Sequence, residues 1–340
     1  MRTKVDVIVH AIQKRSLLRL SFHSPLREKT PAQVGDSEED VEYLGRAKRK
    51  CFGFILGERQ AILEEKKALE QNQKQVEVFS TETDTLYWGD VIHVLTNHIK
   101  DASIDLLFAD PPYNVGKTFG DFKDHWPSDE LYAQWCYIWL DLCLKKLKPT
   151  GSLYLMSSTQ CMPYLDLYLR HKIPILSRIV WFYDSSGVQA RNFYGSLYEP
   201  ILFCVKDRKC YTFNATEIAV EAKTGSKRKL IDYRKLVPTV YNSQKVPGNV
   251  WEIPRVRYRM DEYEDHPSQK PEALIERIVR ASSNPNEVVL DLFSGTFTTS
   301  AVAQRLGRKT IGVENQEPYV KIGLRRLGLC SDFQGERGVQ

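Results

Sequence analysis

The chain has 340 residues, 42% of them hydrophobic and 27% charged, with a mean hydropathy of −0.40; this is enough for one large or two modest domains and excludes a fibrous or wholly disordered protein. No window holds eighteen consecutive apolar residues, so no membrane-spanning helix is expected, and the seven cysteines, odd in number and without a CxxC pair, give neither a disulfide framework nor a zinc site. The formal net charge of +5 is unevenly spread: residues 183–260 carry 14 basic against 7 acidic side chains, an excess suited to a polyanion such as nucleic acid, although a merely solvated basic surface has the same signature.

Residues 1–45 have no clear period. Their basic opening and the polar run TPAQVGDSEED predict a disordered extension, with a transit peptide as the alternative. Residues 53–75 predict one helix with a charged face, completing an extension over 1–75. No secretory signal is expected, because the start lacks a continuous apolar core, and a reducing, cytoplasmic setting fits the cysteine usage.

From residue 84 the pattern alternates between strands and helices. DTLYWGD ends a short apolar run, and SIDLLFAD (103–110) is a strand of the doubly buried kind. Residues 129–148 predict an amphipathic helix closed by Pro149 and Gly151. Further strands are expected at 151–158, 178–184 and 197–206. After the basic block come a helix at 271–283 with Pro271 near its start, a strand at 288–295, the helix TTSAVAQRLG, the strand KTIGVE (309–314) and a last helix, YVKIGLRRLG. Apolar strands separated by helices predict an α/β fold, a doubly wound, mostly parallel sheet covered on both faces.

In such sheets ligands bind beyond the carboxyl ends of the strands, and two strand ends carry unusual residues. The first is Asp110-Pro111-Pro112-Tyr113-Asn114. Two prolines stiffen the loop and remove backbone donors, leaving a carboxylate and carbonyls as acceptors beside an aromatic ring. That set suits the NH2 group of a planar base: Asp110 and the Pro111 carbonyl accept its hydrogens, and Tyr113 stacks on the ring. A proline-rich turn that merely stops a strand is the plainer alternative. The second is Asp291-Leu-Phe-Ser-Gly-Thr-Phe-Thr-Thr299, where Gly295 lets a cofactor approach the backbone. The next strand ends at Glu314, 19 residues after Gly295, at the spacing of a carboxylate that binds two ribose hydroxyls.

DPPYN, the downstream HPSQKPEALIERIV and DLFSGTFTTSAVAQRLGRKTIGVE together resemble the β class of DNA amino-methyltransferases, a Rossmann-like fold with permuted motif order. The resemblance covers about 85–330. It implies transfer of a methyl group from S-adenosylmethionine to an exocyclic nitrogen of a base flipped from double-stranded DNA, N6 of adenine in the first instance. It implies a catalytic half at 76–182, an inserted target-recognition region at 183–260, a cofactor-binding half at 261–334 and a tail at 335–340. Asp110, Pro111, Pro112 and Tyr113 would hold the base. Phe293, Gly295, Thr296 and Thr298 would surround the methionine part of the cofactor, with Asp291 near its amino group, Glu314 on the ribose and Asp90 facing the adenine. His266, Gln269 and Lys270 would lie beside the cofactor pocket; for Lys270 the alternative is a surface charge at a helix start. Arg191, Lys227, Arg228 and Lys229 are the candidate DNA contacts, set among Trp181, Tyr183, Phe193, Tyr194, Tyr233, Tyr241 and Trp251. The pattern departs from the class at Leu292, where proline is usual, and at Phe297, where a second glycine is usual.

No Pro-Cys dipeptide occurs, which disfavours carbon-5 methylation of cytosine through a thiolate. N4-cytosine methylation uses the same loop and stays open, although aspartate rather than serine at the first loop position favours adenine. The motif order disfavours a protein or RNA amine methyltransferase. A non-catalytic DNA-binding module would not need DPPY and Glu314. No metal is called for.

Overall fold

The computed structural model describes residues 76–183, 191–222, 230–240 and 242–329, all within the compact unit that begins at Lys74. The helix expected at 53–75, and the expectations for 1–45 and for the tail, lie outside the described residues.

The described chain opens with a hairpin of β1 (Glu77–Ser80) and β2 (Asp84–Trp88), followed by α1 (Val91–Asn97) and β3 (Ile104–Ala109). A small ladder of β4 (Thr118–Phe119) and β5 (Phe122–Lys123) leads to α2 (Asp129–Lys146), β6 (Leu147–Met156) and α3 (Met162–Leu169). Next come β7 (Ile175–Phe182), β8 (Tyr198–Val205), the two-residue strands β9 (Val220–Glu221), β10 (Ile231–Asp232), β11 (Thr239–Val240) and β12 (Gln244–Lys245), and β13 (Val250–Glu252). The C-terminal part is α4 (Glu272–Ser282), β14 (Val288–Asp291), α5 (Thr298–Arg305), β15 (Lys309–Glu314) and α6 (Glu317–Leu327).

Nine strands form one sheet in the order β1-β2-β15-β14-β3-β6-β8-β7-β13. β2, β15, β14, β3 and β6 run parallel, β8 runs against them, and β7 and β13 return to the common direction. All six residues of β3 are buried because both faces are covered. Ile104, Leu107 and Ala109 pack with α1, α2 and α3, whereas Leu106 and Phe108 pack with α4 and α5. The expected doubly wound sheet is therefore present, and its run of adjacent parallel strands, β2 to β6, presents all its carboxyl ends on one edge, where such sheets bind ligands. Among the described residues, no helix is long and apolar enough to cross a membrane.

Three differences from the sequence expectations have physical causes. The helix α2 stops at Lys146, and Pro149 and Gly151 fall within β6, where the pairing with β3 shifts register between Ile104 and Leu106. α3 has no counterpart among the expected elements: it is only eight residues long and follows a run that looks like a loop. Two strands within 183–260, β8 and β13, belong to the central sheet, because their apolar side chains, Ile201 to Val205 and Trp251, complete its core.

Phe297 solves the problem posed by the missing glycine. It takes the left-handed conformation, φ +56°, that a glycine would take there. Its fully buried ring fills a slot over two glycines, so that a Cβ on Gly312 would lie 2.6 Å, and one on Gly323 2.4 Å, from ring atoms. The packing holds a backbone geometry that a non-glycine residue disfavours, and the turn into α5 keeps its course.

Candidate active site

β3 and β14 are adjacent, with Asp291 registered against Phe108. From β3 the chain proceeds to one side of the sheet through β6, while β14 and β15 lie on the other, so the two motif loops leave the sheet at its topological switch point. Both open into one cavity, whose lining includes Asp90, Asp110, Tyr113, Glu199, His266, Lys270, Phe293, Gly295 and Glu314.

The loop after β3 is held from behind by the segment that follows it. Asp124 Oδ2 accepts the N–H groups of Tyr113 (3.2 Å) and Val115 (3.3 Å). Asn114, left-handed at φ +57°, accepts the Trp126 N–H at 2.8 Å and donates to Asp129 Oδ1 at 3.0 Å. Asp110, thus positioned, meets Lys270 Nζ at 2.6 Å through Oδ2 and accepts the Tyr113 hydroxyl at 2.5 Å through Oδ1. The same hydroxyl lies 2.9 Å from Glu199 Oε2, and Tyr183 donates to Glu199 Oε1 at 3.2 Å. A phenol has one proton, so only one of the two carboxylates receives it at a time. Burial raises the Asp110 pKa against the opposing pull of Lys270. Burial, then Asp110 and Glu199, holds the Tyr113 phenol well above its ordinary value and therefore neutral. Burial works against the Lys270 ammonium, but the two carboxylates outweigh it and keep it charged.

Lys270 is accordingly not a surface charge at a helix start, and it lines the cavity beside Gly295. It is buried and paired to the Asp110 carboxylate, and its ammonium also donates to the Ser268 carbonyl at 3.1 Å. Pro271 occupies the N-cap position of α4 immediately after it, which places the lysine just ahead of the helix.

The second loop joins β14 to α5. Gly295, at φ +49°, comes so close to His266 that a Cβ there would stand 3.0 Å from its Nε2. His266 Nδ1 accepts the Ser268 N–H at 3.2 Å, which leaves Nε2 as the protonated nitrogen, and the ring packs edge-on against Tyr319. Burial, aided by Lys270 and Lys117, lowers the His266 pKa to about 3, so the ring is a neutral donor at physiological pH. Glu314, buried at the end of β15, accepts N–H groups from Gly295 (2.8 Å), Asn315 (2.9 Å) and Gln316 (2.8 Å). Burial nevertheless pushes its pKa up to about 7. Asp291 accepts the Phe293 N–H at 3.2 Å and is pushed to about 7 by the same cause. Thr296 and Thr298 hydrogen-bond each other at 3.0 Å beside Asp291 in a small recess that shares Asp110, His266, Lys270 and Gly295 with the main cavity, and Phe293 packs on Trp135 and Trp139.

Two expected cofactor residues line the cavity with some of their polar atoms already engaged. Asp90 caps α1, its Oδ1 accepting from Ile92 and His93 at 2.9 Å each. Gln269 accepts the Glu264 N–H and donates to the Glu262 carbonyl, which ties down the loop before Lys270. Of the candidate DNA contacts, Arg191 is exposed, while Lys227, Arg228 and Lys229 lie outside the described residues, as does Tyr241. The interleaved aromatics divide: Phe193, Tyr194 and Tyr233 are exposed, but Trp181, Tyr183 and Trp251 are buried against the central sheet. The last three, set by the sequence among the charges of the basic block, are core residues, with Trp181 also reaching the cavity wall.

Glu199 is a site residue that sequence reasoning misses. It sits near the start of β8, and because β8 alone in this part of the sheet is reversed, its first residues lie at the edge where the parallel strands end. The only sequence signal is a carboxylate in an otherwise apolar strand, Tyr-Glu-Pro-Ile-Leu-Phe.

The profile of a family described as DNA methylase, the N6/N4 group, matches residues 104–325. The chain is 56% identical over 258 residues to the DNA adenine methyltransferase YhdJ of Escherichia coli (strain K12), covering 76% of this chain and 87% of that protein. It is 33% identical over 252 residues to the type II methyltransferase M.HpaI of Haemophilus parainfluenzae, covering 74% and 75%. Among solved structures, the cytosine-N4-specific PvuII DNA methyltransferase superposes with a TM-score of 0.56 at 18% identity, covering 77% of this chain and 89% of that one, a likeness of fold.

Proposed function

The chain belongs to the N6/N4 DNA methylase family, and from that premise we propose that it transfers a methyl group from S-adenosylmethionine to N6 of adenine in DNA. The observation that carries this is the opening of the Asp110 loop and the Gly295–Glu314 rim into one cavity at the switch point. The relative at 56% identity, named an adenine methyltransferase, supports adenine over cytosine.

The donor set fits the cofactor. Glu314 Oε2 accepts one N–H and keeps a lone pair for a ribose hydroxyl, Gly295 permits close backbone approach, Asp291 offers a carboxylate to an ammonium, and Phe293 offers apolar surface. When bound, S-adenosylmethionine would supply a methyl group activated by a sulfonium. Asp110 and the Pro111 carbonyl accept the target amine's hydrogens and turn its lone pair toward that methyl, and Tyr113, its hydroxyl held by Asp110 and Glu199, presents a fixed ring to the base. Positioning of this kind can supply roughly 7–11 kcal/mol of a barrier, while extruding the base costs a few kcal/mol. The test is methyl transfer from labelled cofactor into duplex DNA, followed by nucleoside analysis. N6-methyladenine is expected; N4-methylcytosine would reassign the base, and unlabelled DNA would refute the activity.

Residues 183–260, less the sheet strands β8 and β13, are the proposed reader of DNA. Replacing Lys227, Arg228 and Lys229 together by alanine is expected to flatten the dependence of log affinity on log salt by about 0.9 for each phosphate that these side chains neutralise, with the methylated sequence unchanged. Arg191→Ala should alter the sequence or the rate with little change in slope. A wild-type slope in the triple variant would place the phosphate contacts elsewhere.

A further inference from the structure

We propose that Glu199 receives, through the phenol of Tyr113, the proton that the target amine must lose. The inference rests on methyl transfer to an exocyclic amine as proposed above. As the bond from carbon to nitrogen forms and the bond from carbon to sulfur breaks, sulfur leaves as a neutral thioether. The nitrogen, still holding both hydrogens, becomes positively charged. One N–H bond must then break, its electron pair staying on nitrogen and its proton going to a base.

Asp110 is the acceptor placed against the amine, but it cannot readily pass a proton onward by itself. Its side chain is 14% exposed, and Oδ2 is occupied by Lys270 at 2.6 Å. The way out is through Oδ1. Tyr113 Oη lies 2.5 Å from that atom and 2.9 Å from Glu199 Oε2. The phenol takes the proton from Asp110 as it gives its own to Glu199, and it is neutral before and after. Burial beside two carboxylates, which disfavours a phenolate, suits this concerted exchange. Glu199 is the more open end, with 18% of its side chain exposed, and it can release the proton to solvent. With both carboxylates ionised, Asp110, Glu199 and Lys270 carry one net negative charge, which the arriving proton neutralises. The other groups facing Glu199 are Tyr183, hydrogen-bonded to Oε1, and Lys270 at 3.7 Å; the Arg255 guanidinium stands over the Tyr183 ring at 5.2 Å, and Lys117 lines the same cavity.

A merely structural Glu199 would anchor the two tyrosines and do nothing more. Glu199→Gln separates the two roles, because the amide oxygen can still accept a hydroxyl but the group takes up no proton at these pH values. The full-length protein is assayed with S-adenosylmethionine and a duplex methylated by the wild type. A matching duplex with 2-aminopurine at the target position reports base extrusion by fluorescence. Glu199→Gln is expected to lower kcat about tenfold or more at neutral pH. KM for the cofactor and the fluorescence rise should stay as in the wild type, and Glu199→Asp should recover part of the rate. A Gln variant within threefold of wild-type kcat, one whose loss lies in KM rather than kcat, or one that loses the fluorescence rise overturns the relay. A wild type that methylates no DNA overturns the methyltransferase activity and the relay together.

Discussion

Replacing Asp110 by asparagine is expected to lower the rate of methyl transfer at least a hundredfold while leaving the affinity for S-adenosylmethionine within twofold. The side chain keeps its size, but loses the charge that draws the amine hydrogens and that receives the proton. Loss of one preorganised polar group at a reacting centre costs on the order of 10²–10³ in rate, at least about 2.7 kcal/mol. The cofactor rim is built from separate elements, β14, β15 and the loop between β14 and α5, so its donors and acceptors remain. A second effect follows from Lys270, which is buried and whose closest carboxylate is Asp110. Breaking a buried pair by removing one partner costs about 3–5 kcal/mol, so Asp110→Ala should be both inactive and markedly less stable. The double variant Asp110→Ala/Lys270→Met should regain stability without regaining activity. Single-turnover rates, calorimetric titration of the cofactor and denaturant unfolding measure the three quantities. Turnover within tenfold of the wild type would remove Asp110 from the reaction.

The parts of this site that are legible in the sequence are those carried by local rules. A mostly apolar run ending in Asp-Pro-Pro announces a buried parallel strand and a stiff acceptor loop, and the structure has β3 and that loop in place. The carboxylate 19 residues beyond Gly295 marks the end of the next strand, and Glu314 is there. What is not legible depends on pairing between distant segments. Glu199 reaches Tyr113 across 86 positions only because β8 inserts antiparallel between β6 and β7. Nothing local to the basic block tells that Trp181 and Trp251 meet; parallel pairing of β7 with β13 brings them together in the core. Phe297 breaks the glycine pattern of its loop, and nothing nearby explains how the turn survives. The explanation lies in Gly312 and Gly323, which leave room for its ring. Asp90 and Gln269 show the converse limit: both line the cavity, but much of their hydrogen-bonding capacity serves the backbone beside them.

Glu314→Gln is expected to weaken S-adenosylmethionine binding ten- to hundredfold, the equivalent of about 1.5–3 kcal/mol for a charged hydrogen bond. Glutamine is the cleaner replacement, because alanine would leave the N–H groups of Gly295, Asn315 and Gln316 without their shared acceptor. The pH dependence separates this role from simple support of the loop. In the cofactor-free protein burial raises the Glu314 pKa to about 7 from an ordinary 4.5. Between those values the folded state holds more protons than the unfolded state, so this group's contribution to stability falls as pH rises from about 4.5 to about 7, by roughly 3 kcal/mol. Asp291, raised from 3.8 to about 7, acts in the same direction. Hydroxyl donors prefer the ionised carboxylate, so the cofactor should bind about tenfold more tightly at pH 8 than at pH 6 through Glu314 alone, as ionisation of a group with a pKa near 7 rises from about a tenth to about nine-tenths. In Glu314→Gln that share of the pH dependence should vanish from both the binding titration and the unfolding midpoint, leaving only the part due to Asp291. If the variant binds the cofactor as tightly as the wild type at pH 8, Glu314 holds its three N–H groups and does not touch the ribose.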